Sequence, residues 1–329
     1  MPKGSKQKLK LYYLSRIMLE KTDDDHSLTM PEIQKCLEAY GVTADRKSIY
    51  DDMDALQVLG IDVNGSKEGR SYVYKVNKKQ FDIAELKLLV DAIQSSKFIT
   101  EKKSNELIKK ITGFASDFEA EQLKRQVVVQ GRIKTMNESI YYIVDDIHYA
   151  ISHNRKIRFE YYKWNLRKEM EKRKDKVYEV SPWALMWDDE NYYLVAYDPE
   201  ENIIKHYRVD KMRNIDVSRD RREGRDLFNK LDIASYTRKN FNMVGGEETD
   251  VKLEFDNNLV GVMIDRFGKD IPIRPSKKEG WSVTTISVAL SDQFFGWVFS
   301  FGKSVKIAGP EEVIDIFKKE IASLSDLYE

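Results

Sequence analysis

LTMPEIQKCLEAYGVTADRKSIYDDMDALQVLGIDV, residues 28–63, is the stretch whose pattern decides the N-terminal architecture. Thr29 followed by Pro31 and Glu32 marks a helix start: the hydroxyl caps the first turn, proline is tolerated there, and Glu32 holds the capping-box position. Gly41 ends that helix. Asp45 caps the next, in which Ile49, Met53 and Leu56 recur at i, i+4 and i+7 and define one buried face ending near Gly60. With that face turned inward, Arg46, Lys47, Tyr50, Asp51, Asp54 and Gln57 point outward.

Upstream, Leu11, Leu14 and Met18 with Tyr12 and Ile17 predict an amphipathic helix that stops in the polar cluster Thr22 to Ser27. Downstream, Ile61 to Val63 and Tyr72 to Val76 alternate like strands joined by a Gly, Ser and Lys turn, which puts Lys67 and Arg70 at a hairpin tip. Helix, glycine turn, helix and basic-tipped hairpin form the plan of a winged helix-turn-helix over residues 1–77. Recognition helices present their N-terminal residues to the major groove, so Arg46, Lys47, Ser48 and Tyr50, with Lys67 and Arg70 on the wing, are the DNA-contact candidates. Residues 1–76 hold twelve Lys and Arg against twelve Asp and Glu, and that balance alone fits a packing domain with solvated charges.

Residues 78–137 form a helical linker, with Leu86, Leu89, Val90 and Ile93, then Leu107, Ile108 and Ile111, marking two amphipathic helices. Residues 138–225 open with a helix from Tyr141 to Ser152, with Ile143, Ile147 and Ile151 at i+4 spacing. The period then changes to two across Ile157 to Tyr162, Val177 to Trp187, Tyr192 to Tyr197, Ile203 to Val209 and Asn214 to Val217. Strands so closely spaced predict a small barrel or a strongly bent sheet. Residues 239–329 read as an α+β module: strands at Val251 to Phe255, Trp281 to Leu290 and Val305 to Ile307, helices at Val260 to Phe267 and Glu311 to Leu324. The whole chain is therefore expected to be α+β and multidomain.

With 329 residues, 41% hydrophobic and 33% charged, the composition is globular and excludes disordered and collagen-like classes. The longest uncharged run, Gly280 to Ser291, has 12 residues and is too short to span a bilayer. The lysine-containing N-terminus lacks an apolar signal core, and a lone Cys36 excludes an internal disulfide; both lead to the expectation of a cytoplasmic protein. A formal net charge of zero argues against a uniformly basic coat but permits local patches. Residues 163–176 carry seven Lys and Arg against three acids, and 203–225 carry eight against four, while 177–202 hold seven acids and no base. These runs are either solvated faces or the walls of a nucleic-acid groove.

On Ile203 to Val209, alternation puts His206 and Arg208 on one face and Lys205 and Tyr207 on the other. A histidine and an arginine near tyrosines 161, 162 and 193 suit anion pairing and base stacking; the competing reading is an Arg208 ion pair to Asp210 or Glu160 in an aromatic-filled barrel. Enzyme signals are weak. His148 and His153 are not spaced as zinc ligands on one helix face, no phosphate loop follows a strand, and Cys36 falls within a helix. No catalytic constellation and no cofactor are expected.

The N-terminal stretch quoted above, continued by FDIAELKLLVDAIQSSKFITEKKSNELIKKI, resembles the DNA-binding head and linker of bacterial WYL-domain transcriptional regulators. Tyr192, Tyr193 and Leu194 stand where that family has its signature, and SPWALMW and KHYRVDKM are similar to neighbouring family strands, with Lys205 and Lys211 where arginine is common. MIDRFGKDI, FFGWVFSFG and GPEEV are similar to the extension that follows many WYL domains. The resemblance implies an Sm- or SH3-like sensing barrel coupled to a DNA-reading head, with Tyr161, Ser181, Trp183, Tyr193, His206, Arg208 and Lys211 binding a nucleotide or short nucleic-acid effector. The expected function is a regulator that binds operator DNA as a homodimer held by the linker and the C-terminal module, with no membrane partner. Its rivals are an RNA- or single-stranded-DNA-binding accessory protein and a nucleotide-processing enzyme.

Overall fold

A computed structural model describes residues 7–77, 79–126, 134–231, 236, 239–241, 243 and 246–329. Lys78, the first residue of the expected linker, and residues 127–133 within it lie outside the described residues. The chain divides into two compact units, Met1–Glu138 and Ser139–Glu329. Both mix helices with antiparallel sheet.

In the first unit α1 (Lys10–Lys21), β1 (Leu28–Thr29), α2 (Met30–Ala39), α3 (Arg46–Val58), β2 (Val63–Glu68) and β3 (Ser71–Val76) precede α4 (Ile83–Ser95), α5 (Glu101–Ile111) and α6 (Asp117–Gln126). The capping signals act as their chemistry dictates. The Thr29 amide and hydroxyl both donate to the Glu32 carboxylate at 2.7 Å, and Asp45 accepts from the Ser48 amide at 3.0 Å. Leu14, Met18, Ile33, Leu37, Ile49 and Leu56 are fully buried and close over Val63, Tyr74 and Val76 of a sheet ordered β1-β3-β2.

Two expectations need correction here. The hairpin strands are longer than the alternation implied: Gly65, Ser66 and Lys67 lie within β2, paired with Tyr74, Val73 and Tyr72, and the turn falls at Gly69 and Arg70. Lys67 is thus in a strand, not at the tip. The region after Phe81 holds a third helix, α6, which periodicity missed because few of its residues are apolar; Leu123 joins Leu86 and Ala115 in a small separate core. That helix is welded to the preceding domain. Lys21 pairs with Asp117, Lys79 pairs with Glu119 at 2.6 Å, the His26 ring stacks on Phe118, and Asp23 accepts from the Ser116 hydroxyl. Burial opposes the charge of Asp23, but its hydrogen bonds from Ser116, His26 and the Asp25 amide outweigh that and hold the carboxyl below its ordinary range.

The second unit begins with α7 (Ile140–Ser152), whose buried face is Ile140, Ile143, Ile147 and Ala150, with Ile151 half-buried where that face reaches the helix end. Then come β4 (Arg155–Trp164), β5 (Met170–Lys172), β6 (Tyr178–Asp188), β7 (Asn191–Asp198), β8 (Ile203–Arg208), β9 (Met212–Arg221) and the short α8 (Arg225–Asn229). The sheet runs β5-β4-β6-β7-β8, with β9 on the other edge of β4, so the strands curl around Phe159, Tyr178 and Tyr207. Phe159 stacks on Tyr178 at 5.5 Å and meets the edge of Tyr207 at 5.2 Å. The C-terminal part comprises β10 (Glu248–Asp256), α9 (Val260–Phe267), β11 (Arg274–Pro275), β12 (Trp281–Ala289), α10 (Asp292–Ser300), β13 (Val305–Gly309) and α11 (Glu311–Asp326), with strand order β11-β12-β10-β13. The expected elements are present, and α10 is an addition: Ser291 caps it, and Phe294, Phe295 and Val298 are buried against Phe255 and Val288.

Gly224 tests this packing. It has φ +77°, a conformation that disfavours side chains, and an added Cβ would overlap the Tyr197 ring. Gly224→Ala should destabilise the second unit by about 2–4 kcal/mol, strain and overpacking together. A urea transition displaced by less than a quarter of that would show the close approach to be soft.

Candidate functional site

On the first unit, α3 presents its first turn to solvent. Arg46, Lys47 and Tyr50 are exposed, while Ile49, Met53 and Leu56 bury the opposite side. Arg46 and Lys47 have no ion-pair partner among the described residues. Ser48 and Asp52 are engaged by Lys10, which bonds the serine hydroxyl and pairs with the Asp52 carboxylate at 2.7 Å. Tyr50 accepts from the Tyr74 hydroxyl at 3.0 Å, which fixes it against the hairpin, and Gln57 donates to the Val63 carbonyl at 3.1 Å instead of facing solvent freely. On the hairpin, Lys67 and Arg70 are exposed and unpaired among the described residues. The face is thus two basic side chains at a helix start and two on the hairpin, followed along α3 by exposed Asp51 and Asp54.

On the second unit, register places Tyr193 opposite Arg208 and Val195 opposite His206, so these four side chains share one face of the β7–β8 pair. The guanidinium of Arg208 makes a two-pronged contact with Asp210, both bonds 3.0 Å, and a third 3.0 Å bond to the Asn191 side chain. Lys211 lies 3.8 Å from the same carboxylate and 5.5 Å from the centre of the Trp164 ring, and Arg213 donates to the Asp210 carbonyl at 2.9 Å. Three cations therefore gather about one acid. Burial pushes Lys211 and Arg213 below their ordinary values.

His206 bonds the Tyr236 hydroxyl at 2.9 Å, and burial lowers its pKa from 6.5 to about 4, so at neutral pH it is an uncharged hydrogen-bonding group. Tyr193 is 7% exposed and packs with Met186, Val195 and Met243. Tyr161 is not on an open stacking surface: its ring packs edge-on against Phe159, Tyr178 and Tyr207, and its hydroxyl accepts from the Arg208 amide at 3.0 Å. Ser181 and Trp183 are held elsewhere, at Glu223. The serine hydroxyl accepts from the Glu223 amide and the indole donates to its carbonyl, each at 2.9 Å, with the Trp183 ring between Arg222 and Phe228. The structure thus brings Tyr193, His206, Arg208 and Lys211 into one region and assigns Ser181 and Trp183 to a neighbouring brace. Asn191 and Tyr236 join the site without any pattern in the sequence to announce them, since one opens β7 just after a tight turn and the other lies 30 positions from its partner. Among the described residues no group of three or more His, Cys, Asp or Glu could hold a metal ion, and no helix is long and apolar enough to cross a membrane.

Comparison with known families matches a WYL domain to residues 142–217 and a WCX domain to residues 247–325. The chain is a WYL-domain protein. Its WYL domain contains the Tyr193, His206 and Arg208 face, and the WCX match covers the sheet ordered β11-β12-β10-β13. Solved structures similar to this WYL-domain chain include the proteasome accessory factor B/C (PafBC) of Arthrobacter aurescens, at 17% identity and a TM-score of 0.25, covering 92% of this chain and 44% of that one. The present chain therefore spans less than half the length of that neighbour. A second is a CRISPR Cas-related protein, at 11% identity and a TM-score of 0.37, covering 96% and 78%. At these scores neither likeness defines fold or function. No curated protein matches the chain.

The depressed pKa of His206 gives the WYL domain a pH signature. Between pH 6.5 and about 4 the unfolded chain binds a proton at this position and the folded chain does not, so stability falls with pH across that window. The loss is of order 3 kcal/mol by pH 4. His206→Gln should flatten this part of a plot of Tm against pH. An unaltered slope between pH 6.5 and 4 in the variant would show that His206 titrates normally.

Proposed function

We propose that this WYL-domain protein is a DNA-binding transcription regulator that acts by binding and not by catalysis. Residues 1–77 serve as a winged helix-turn-helix, and the WYL sheet, read as a small Sm- or SH3-like barrel, senses a nucleotide or nucleic-acid-like ligand. The observation that carries the proposal is α3 itself: an Asp45-capped helix with a closed apolar face and with Arg46 and Lys47 exposed and unpaired in its first turn, flanked by a hairpin bearing Lys67 and Arg70. That is the arrangement by which a helix N-terminus offers arginine to guanine and lysine to phosphate. Asp51 and Asp54 further along α3 repel phosphate and so favour entry by the N-terminal turn alone. Pairing two heads as a homodimer would supply affinity through half-sites about 10–10.5 bp apart, or a multiple of it.

Arg46→Ala and Lys47→Ala should each weaken binding to operator duplex while leaving the melting curve unchanged, because neither side chain touches the core. A lost base pairing costs about 1–3 kcal/mol, and a lost phosphate contact lowers the salt slope by about one. Unchanged affinity and salt slope in both variants would reject α3 as the reading helix.

For the sensing half, the pertinent feature is that Arg208 is held by Asp210 and Asn191 at a half-exposed position, so an incoming phosphate can take the place of a partner already there. Sensing requires that the ligand bind one state of the protein better than another. Arg208→Ala should preserve basal duplex affinity and abolish any change in that affinity caused by added mono- and oligonucleotides. Loss of the fold and of basal binding together would make Arg208 a structural ion pair instead.

A further inference from the structure

The hairpin formed by the end of β4 and β5 projects a built, basic tip. Tyr162 pairs with Lys172, Lys163 with Glu171, and Trp164 with Met170. Asn165 organises the turn between them. Its carbonyl accepts from the Lys168 amide at 3.0 Å, its amide donates to the Glu169 carbonyl at 2.9 Å, and its side-chain oxygen accepts from the Arg167 and Glu169 amides at 2.9 and 3.0 Å. Lys168 takes the left-handed conformation, φ +61°, that closes three-residue hairpin loops. The tip is therefore ordered by its own hydrogen bonds and not by packing, and it holds Leu166 fully in solvent and Trp164 at 45% exposure.

The charges at this tip are sorted. Residues 163–174 contain six Lys and Arg and two Glu. Glu171 faces Lys163 at 3.2 Å, Glu169 and Glu171 both accept from the Asn165 amide group at 3.4 Å, and Lys172 is taken by Glu160 at 2.7 Å. Arg167, Lys168, Arg173 and Lys174 remain exposed and without an ion-pair partner among the described residues. A single exposed leucine is ordinary on any surface. A leucine at the apex of a pre-ordered ribbon, with four free cations about it, is a surface shaped for a polyanion that also offers an apolar gap. Duplex DNA does both: its major groove admits a two-stranded ribbon between two phosphate walls and offers the thymine methyl group to an apolar side chain. A membrane fits less well, because two apolar side chains bury too little area to hold a lipid surface.

We propose that this hairpin is a second contact to duplex DNA, with Arg167, Lys168, Arg173 and Lys174 meeting backbone phosphate and Leu166 entering the groove. The proposal stands on the second unit and is independent of the α3 reading. The test is a salt titration of the full chain on a labelled duplex of about 30 bp and arbitrary sequence, between about 50 and 200 mM salt. Arg167→Ser with Lys168→Asn, asparagine being tolerant of the left-handed turn, should reduce the magnitude of the slope of log affinity against log salt by about two. Leu166→Ser should lower affinity several-fold with the slope unchanged. All three positions are exposed, so melting temperatures should not move. Unchanged slope and affinity in both variants would overturn the proposal. So would an effect seen only on single strands, or wild-type binding to anionic phospholipid vesicles, but not to the duplex, that the double variant abolishes. Arg46→Ala with Lys47→Ala separates the two readings: if α3 does not bind DNA, that variant keeps the full slope, whereas if the hairpin does not, only the hairpin variant does.

Discussion

Strand β4 is hydrogen-bonded along both edges, to β9 on one side and to β6 and then β5 on the other, and the WYL domain depends on that double pairing. A central strand has no free backbone groups to leave unsatisfied, so its side-chain alternation is fixed in register. Phe159 is thereby sent into the core among Tyr178 and Tyr207, and Tyr161 reaches the backbone of Arg208 with its hydroxyl. The register shifts between β4 and β9, at Arg155/Ile157 and Arg158/Glu160, supply the bending that a curled sheet needs. Past the shared region the same strand runs out with β5 alone and becomes an exposed ribbon. One strand thus anchors the aromatic core, holds the backbone beneath Arg208, and carries the basic tip.

The face bearing Tyr193, His206 and Arg208 is a satisfied network and not an open charge. Asp210 accepts two bonds from Arg208, Asn191 a third, and Tyr236 engages His206. Removing one partner from such a network costs more than forming it returns, because the remaining group loses both water and its bond. A ligand acting here must offer Arg208 a better anion than Asp210 does, and the released carboxylate then confronts Lys211 at 3.8 Å and the nearby Arg213. The proposed sensing requires such an exchange to give two states of the protein that the ligand binds unequally.

Capping chemistry made much of the fold legible. Thr29 with Glu32 and Asp45 with its following turn define α2 and α3 because short polar side chains at those positions satisfy amides that nothing else reaches. The hairpin register was not legible: Gly65, Ser66 and Lys67 have the composition of a turn, yet they pair with β3, and position 65 is glycine because the Tyr72 and Tyr74 rings lie over it and leave no room for a Cβ. The strand alternation that paired His206 with Arg208 is local and was readable. What these side chains bond to was not, since Tyr236 and Asn191 are brought in by long-range topology. Tyr161 shows the same limit, as periodicity assigns a residue to a face but cannot tell a stacking surface from an aromatic core.

Nuclease footprinting of the intact chain on the DNA upstream of its own coding sequence tests the central claim most directly. The account predicts a bounded protected region whose protection saturates with protein and weakens with salt, as phosphate-dependent binding requires. Even cleavage across the whole fragment at saturating protein and low salt would contradict it.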